Sequence, residues 1–304
     1  MQLNLLKATQ ILERTMPVMN RRILIHAAIT LGLLFSIPLG AGSFFGLASF
    51  SDNPGFWGQI GAAAGLIGAL YGYRIARPAL FFHLDLPQLF AIVKRITGAE
   101  LPSGKVLHSQ LKQQVQALFS EPRTAWEYRL KLQQVIVQAF TANATGNPSV
   151  ATNTPALQKA LVAATMGFAA DAMLAPVIKE MSIAALRQSA LTFCENLQNF
   201  FRYSLILNAF LYTILLIAFW VLLKPVGWVD EALPISLGIW KPIFAAILTF
   251  WIKTVFLDPI VTTAMTLNLL SLSKEAGSGD GDRWTEILAA LEPSKATDAP
   301  NEHE

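Results

Sequence analysis

Two stretches near the start of the chain, Ile23–Ser51 and Asn53–Tyr73, contain no Asp, Glu, Lys or Arg. A helix crosses a bilayer core with about 20 apolar residues, so each stretch predicts a membrane span. Between them "SDNPG" supplies the Asp, Asn, Pro and Gly of a tight connection, and the two spans are expected to form a hairpin. The first run is longer than the roughly 7–15 apolar residues of a signal peptide and reads as an uncleaved anchor, with Pro38 as a place to bend. Tyr203–Leu223, 21 residues without charge, predicts a third span. "KPVGWVDEALP" then predicts an outer turn with Trp228 at the headgroups. A fourth span is expected over Leu237–Leu257, with Lys241 snorkelling at its outer end.

Between the hairpins the hydrophobic period is that of water-facing helices. "LPQLFAIVKRIT" predicts a short amphipathic helix that "GAELPSG" ends. "KVLHSQLKQQVQALF" places Leu107, Leu111, Val115 and Leu118 at helical spacing with Gln and Lys opposite. "SEPRTAWEYRLKLQQVIVQAF" predicts a helix capped near Ser120 and running to Phe140, and "TANATGNPSVATNTP" reads as a linker. The next stretch has its longest uncharged run at Ala160–Ala170 and then Asp171, which predicts an interfacial or re-entrant helix, since Asp at a span centre costs about 2.5–3.5 kcal/mol. In "IAALRQSALTFCENLQNFFRY" the residues Leu186, Ala190, Phe193, Leu197 and Phe200/Phe201 share a side, as in a helix lying in the headgroup plane.

The expected fold is all-α: a polytopic integral membrane protein with about four transmembrane helices in two hairpins, a helical cytoplasmic insert and interfacial amphipathic helices. Its divisions are a cytoplasmic amphipathic segment (1–22), the first hairpin (23–78), a cytoplasmic helical module and linker (79–154), interfacial or re-entrant helices (155–202), the second hairpin with a following apolar helix (203–272), and a flexible acidic tail (273–304).

"GQIGAAAGLIGALYG" raises a separate question. Gly58, Gly61, Gly65, Gly68 and Gly72 are spaced 3, 4, 3, 4 and fall on one stripe of a helix. A phosphate loop would need a preceding strand and a Gly-Lys-Ser/Thr ending, neither of which is present. In lipid, small residues let helix backbones approach, so the stripe predicts a packing seam against the first span or a second copy. "GAGSFFG" resembles a dinucleotide fingerprint but lies inside the first span.

Composition supports the membrane reading. Hydrophobic residues are 53% and charged residues 14% of the 304, against about 25% charged in soluble domains. The net charge of +3 divides unevenly: residues 1–273 hold 20 Lys and Arg against 12 Asp and Glu, and the remainder holds three against eight. Placing both termini in the cytoplasm puts every Lys and Arg except Lys224 and Lys241 inside, 21 of 23, as the positive-inside rule requires. No basic run is dense enough to suggest nucleic acid. A single cysteine, Cys194, allows no internal disulfide and reads as a small apolar residue.

Candidate chemistry is sparse. His26, His83, His108 and His303 have no metal spacing, and no nucleophile motif occurs; no catalytic, cofactor or metal residue is assigned. Intramembrane charge points to function because it is expensive to keep there. The candidates are Lys253, Asp258, Asp171 and His26. On a continuous α-helix Lys253 and Asp258 lie about 140° apart and would bond to other helices more readily than to each other. Alternatively the helix ends at Leu257 and Asp258 caps a new one starting at Pro259.

"ALRQSALTFCENLQNFFRYSLILNAF" and "WIKTVFLDPIVTTAMTLNLL", following a glycine-rich hairpin and a helical insert, resemble a group of uncharacterised bacterial inner-membrane proteins. The run that leads "SALTFC" into a span is also similar to the last part of choline transporter-like proteins. The first resemblance implies the bacterial inner membrane; neither supplies functional residues. The expected role is a non-enzymatic scaffold or accessory subunit that meets lipid and other membrane proteins or itself. The alternatives are a small-molecule or ion transporter acting as an oligomer and, last, a lipid-modifying enzyme.

Overall fold

A helix that is apolar on every side belongs in an interior, and several helices of this chain have that pattern. The computed structural model describes residues 4–102, 105–145, 156–232 and 237–273, with Trp284, Ile287, Leu288 and Leu291. Among the described residues there is no strand. The order is α1 (Leu5–Glu13), α2 (Met16–Leu47), α3 (Pro54–Leu80), a π turn (Phe81–Asp85), α4 (Leu86–Ile96), α5 (Lys105–Leu118) and α6 (Pro122–Thr145). It continues with α7 (Ala156–Glu180), α8 (Ala185–Glu195), α9 (Leu197–Ala232), α10 (Trp240–Ile252), a second π turn (Lys253–Leu257) and α11 (Asp258–Leu272).

Among the described residues, three helical runs are long and apolar enough to cross a membrane: Met16–Leu47, Leu197–Ala232 and Trp240–Leu272. α3, expected as a further span, is not among them, because its many Gly and Ala, with Arg74 and Arg77, lower its mean apolarity. The expected outer turn at 224–234 is also different: α9 continues through Pro225 to Ala232. There Gly227 lies against the Lys241 side chain, and the Asp230 carboxylate accepts the Leu237 N–H.

Length explains how the parts join. At 1.5 Å per residue the three runs measure about 50 Å, well beyond a hydrocarbon core of about 30 Å. The surplus lies at their inner ends, inside a helical body. α4 buries eight consecutive residues, Leu86–Val93. α11 buries Ala264, Met265, Leu269 and Leu270 together with Thr263, Thr266 and Asn268. α7, expected at the membrane interface, instead runs through the middle of the body, with Met166, Ala170, Met173, Leu174 and Ala175 all fully buried. It packs against α4, α6, α8 and α11, and its alanines permit the close approach. Leu186, Ala190, Phe193, Leu197 and Phe200 are buried in the same core, so the face expected to meet lipid meets protein.

The core ignores the divisions drawn from sequence, taking residues from α1, α2, both π turns, α4–α9 and α11. Trp284, Ile287, Leu288 and Leu291 join it too, so part of the expected flexible tail is docked. α6 runs on through 141–145, the first part of the expected linker; the rest of that linker, 146–155, and the acidic end beyond 291 lie outside the described residues. Outside the body, the apolar surface is extensive: Leu31, Phe35, Leu39, Ile67, Leu216, Trp220 and Phe250 are all exposed. So continuous an apolar band is what lipid covers.

Candidate functional site

Each π turn is followed by a proline. Pro87 and Pro259 have no N–H for the carbonyls four residues earlier, His83 and Val255, and their rings would clash with them. The chain widens by one residue instead: the Leu86 N–H bonds to the Phe81 carbonyl and the Asp258 N–H to that of Lys253. Single π turns of this kind often mark functional sites. Here each places an aspartate, Asp85 or Asp258, at the level where the apolar helices enter the body.

The widening corrects the expectation for Lys253 and Asp258. An i→i+5 turn brings residue i+5 over residue i, and Lys253 Nζ donates to Asp258 Oδ1 at 2.8 Å. The helix also runs on from Ile252 into α11, with no break at Leu257 and no side-chain cap at its start. Lys253 Nζ sits 5.4 Å from the centre of the Phe168 ring on α7.

Arg22 of α2 joins the two π turns. One guanidinium nitrogen donates to Gln88 Oε1 at 2.6 Å and lies 3.0 Å from Asp85 Oδ1. The other donates to the Thr254 carbonyl at 2.8 Å. Its Nε is buried with no hydrogen-bond partner. His26, one turn further along α2, is buried above it.

Asp171, a candidate from the sequence, is held by Arg129 of α6 in a forked pair at 2.5 and 3.2 Å. The Arg129 guanidinium lies over the Phe81 and Trp126 rings, 5.3 and 4.9 Å from their centres. Burial opposes its charge, but Asp171 beside it, with Asp85 and Asp258 farther off, more than offsets this and raises its pKa.

These groups line one cavity of about 340 Å³, the size range of small-molecule sites. Four cations (Arg22, Arg77, Arg129, Lys253) and three carboxylates (Asp85, Asp171, Asp258) face it, one positive charge in excess. Arg77 of α3 supplies the excess. It donates to the Tyr73 hydroxyl at 2.5 Å and, among the described residues, has no carboxylate within 4 Å. The aspartates are only 18–23% exposed, so these are not surface pairs of negligible worth. Desolvating each ion costs several kcal/mol, and apolar side chains of similar volume would often give equal or better stability.

The remaining predicted residues lie elsewhere. A side chain on Gly61 would strike the Gly40 carbonyl and Phe44, and one on Gly65 the Ser36 carbonyl, both from α2. Gly58 faces Ala41 and Phe45; the pairing is antiparallel. Gly68 and Gly72 differ from the expected single seam, for a side chain there would meet open space. The close approach is confined to the N-terminal half of α3.

Arg22, Arg77, Asp85, Gln88 and Arg129 were not candidates from sequence, where Arg22 and Arg77 served only as flanking positive charge. One signal was present: "LDLP" at Leu84–Pro87 and "LDP" at Leu257–Pro259 repeat an acid beside a proline just beyond an apolar run. Among the described residues no three or more His, Cys, Asp or Glu gather as metal ligands. Comparison with protein-family models, with curated proteins and with solved structures finds no match to the chain.

Proposed function

We propose that the protein is a non-enzymatic membrane protein that binds and translocates a small anionic solute, with the charged cavity as its cytoplasmic-side binding site. The supporting observation is the convergence of seven ionisable side chains from both π turns and from α2, α3, α6, α7 and α11 on one cavity at the inner ends of apolar helices. A scaffold needs no such cluster, because apolar packing would hold the same helices together at lower cost. Intramembrane charge of this kind is a functional hypothesis by default. The excess cation, Arg77, gives an anion its donors; charge-assisted bonds to a carboxylate or phosphate are the strong ones.

In this reading α3 is the fourth span. It is 27 residues, about 40 Å, long, lies antiparallel against α2, and exposes Ile67, Leu70, Tyr71 and Ile75. Two hairpins then stand with both termini in the cytoplasm of a bacterial inner membrane. Four spans enclose little by themselves, so translocation brings self-association with it.

The test is thermal stabilisation and proteoliposome uptake of the purified protein with inorganic phosphate, succinate and acetate, beside neutral glycerol. At least one anion is expected to raise the melting temperature and to be taken up. Arg77→Gln should weaken the response about tenfold or more without lowering protein yield. If no anion protects and Arg77→Gln complements a deletion fully, the scaffold reading returns.

A further inference from the structure

Below the first π turn lies a second cavity, of about 280 Å³, with a different character. Arg21, His83, His108 and Lys112 line it, and among the described residues no carboxylate does. Phe82, Leu84, Pro87 and Val115 give it apolar walls. We propose that this cavity binds the phosphate of an anionic phospholipid headgroup at the cytoplasmic surface of the membrane.

Placement and charge carry the argument. Arg21 stands at the inner end of α2, beside Arg22, and His83 lies three residues past the end of α3. Lys112 and His108 are one turn apart on α5 and close the cavity from the body side. The site therefore sits at headgroup depth if α2 and α3 stand in the bilayer. The inference rests on that placement and not on the anion cavity. Arg21 and Leu24 share a face of α2, three residues apart, and Leu24 is 71% exposed. A cation at the headgroup level with bare apolar surface immediately outward matches the order of phosphate and acyl chain in a lipid. A soluble phosphate would have no use for the second element.

Among the described residues no carboxylate lies within 4 Å of Arg21 or Lys112. The pKa of His83 is lowered by burial, then by Lys112 and Arg21, so both cations lie within electrostatic reach of its imidazole. Arg21 and Lys112, two like charges lining one cavity, favour an anion, and a phosphate offers acceptors to both.

The experiment uses the full-length protein in neutral detergent, with dioleoyl-phosphatidylglycerol, dioleoyl-phosphatidylcholine and inorganic phosphate as separate probes, read by retained lipid in native mass spectrometry and by melting temperature. Phosphatidylglycerol is expected to be retained and to stabilise, more than phosphatidylcholine. The double variant Arg21→Gln/Lys112→Gln should retain it about tenfold or more weakly. Arg21→Lys/Lys112→Arg, which keeps the charge, should retain it normally, as should Arg123→Gln on the exposed face of α6. Unchanged retention by the Gln double variant overturns the site, and so does an equal loss in Arg123→Gln. Equal protection by inorganic phosphate alone overturns the lipid assignment. Arg77→Gln should leave lipid retention intact, which separates failure here from failure of the solute-binding reading.

Discussion

Arg129 and Asp171 show how a costly residue is tolerated. Asp171 interrupts an apolar run, and its charge survives burial because a forked guanidinium meets it. Removing one partner leaves the other buried and uncompensated, at a cost of about 3–5 kcal/mol, whereas replacing both with apolar groups can be neutral. Asp171→Ala is therefore expected to destabilise by about 3 kcal/mol, and Arg129→Met/Asp171→Leu by much less. Cys194 is a built-in reporter for this comparison. It is 1% exposed, and burial, with Glu195 nearby, pushes its thiol pKa up to about 12. Below that value the folded thiol stays protonated, so at pH 8 alkylation follows opening of the body. Asp171→Ala should label much faster than the parent and the double variant close to it. Equal labelling of all three would show that the pair contributes nothing.

At the scale of elements, two local devices set the geometry. The glycines of α3 admit α2 only where a partner backbone faces them. Gly65→Leu, which would drive a side chain into the Ser36 carbonyl, is expected to cost several kcal/mol by overpacking and to lower the yield of folded protein. Gly72→Leu, facing open space, should be within about 0.5 kcal/mol of the parent. Comparable yields and melting temperatures for the two would count against the close approach. The π turns are the second device. Their prolines are plain in the sequence, but the extra residue per turn is not, and it rotates everything downstream. That rotation puts Lys253 over Asp258, where regular α-helical phase separates them.

For the whole molecule, the apolar surface of the long helices and the buried body together require a membrane on one side and water on the other. A reporter fused in the α2–α3 connection near Asp52 is expected to respond from outside the cell, and one fused after Glu304 from the cytoplasm. Cytoplasmic responses from both would remove α2 as a span and with it the two-hairpin arrangement. Carbonate washing should leave the protein in the membrane pellet. The helical body belongs on the cytoplasmic side in this arrangement, against the headgroup layer, with the charged cavity just above it.

The sequence by itself determined the environment and the helical class. Long runs without charge must coil in lipid, because the backbone there has only its own hydrogen-bond partners, and those partners are four residues away. The α5 stripe at Leu107, Leu111, Val115 and Leu118 was equally legible, being a local period, and all four are buried. Tertiary structure alone decided that α4, α7 and α11 form one interior and that seven charges face one cavity. Arg129 and Asp171 are 42 positions apart and Arg22 and Thr254 are 232 apart. No local period encodes such pairings; they follow from which helices pack together and from the phase shift that two prolines impose.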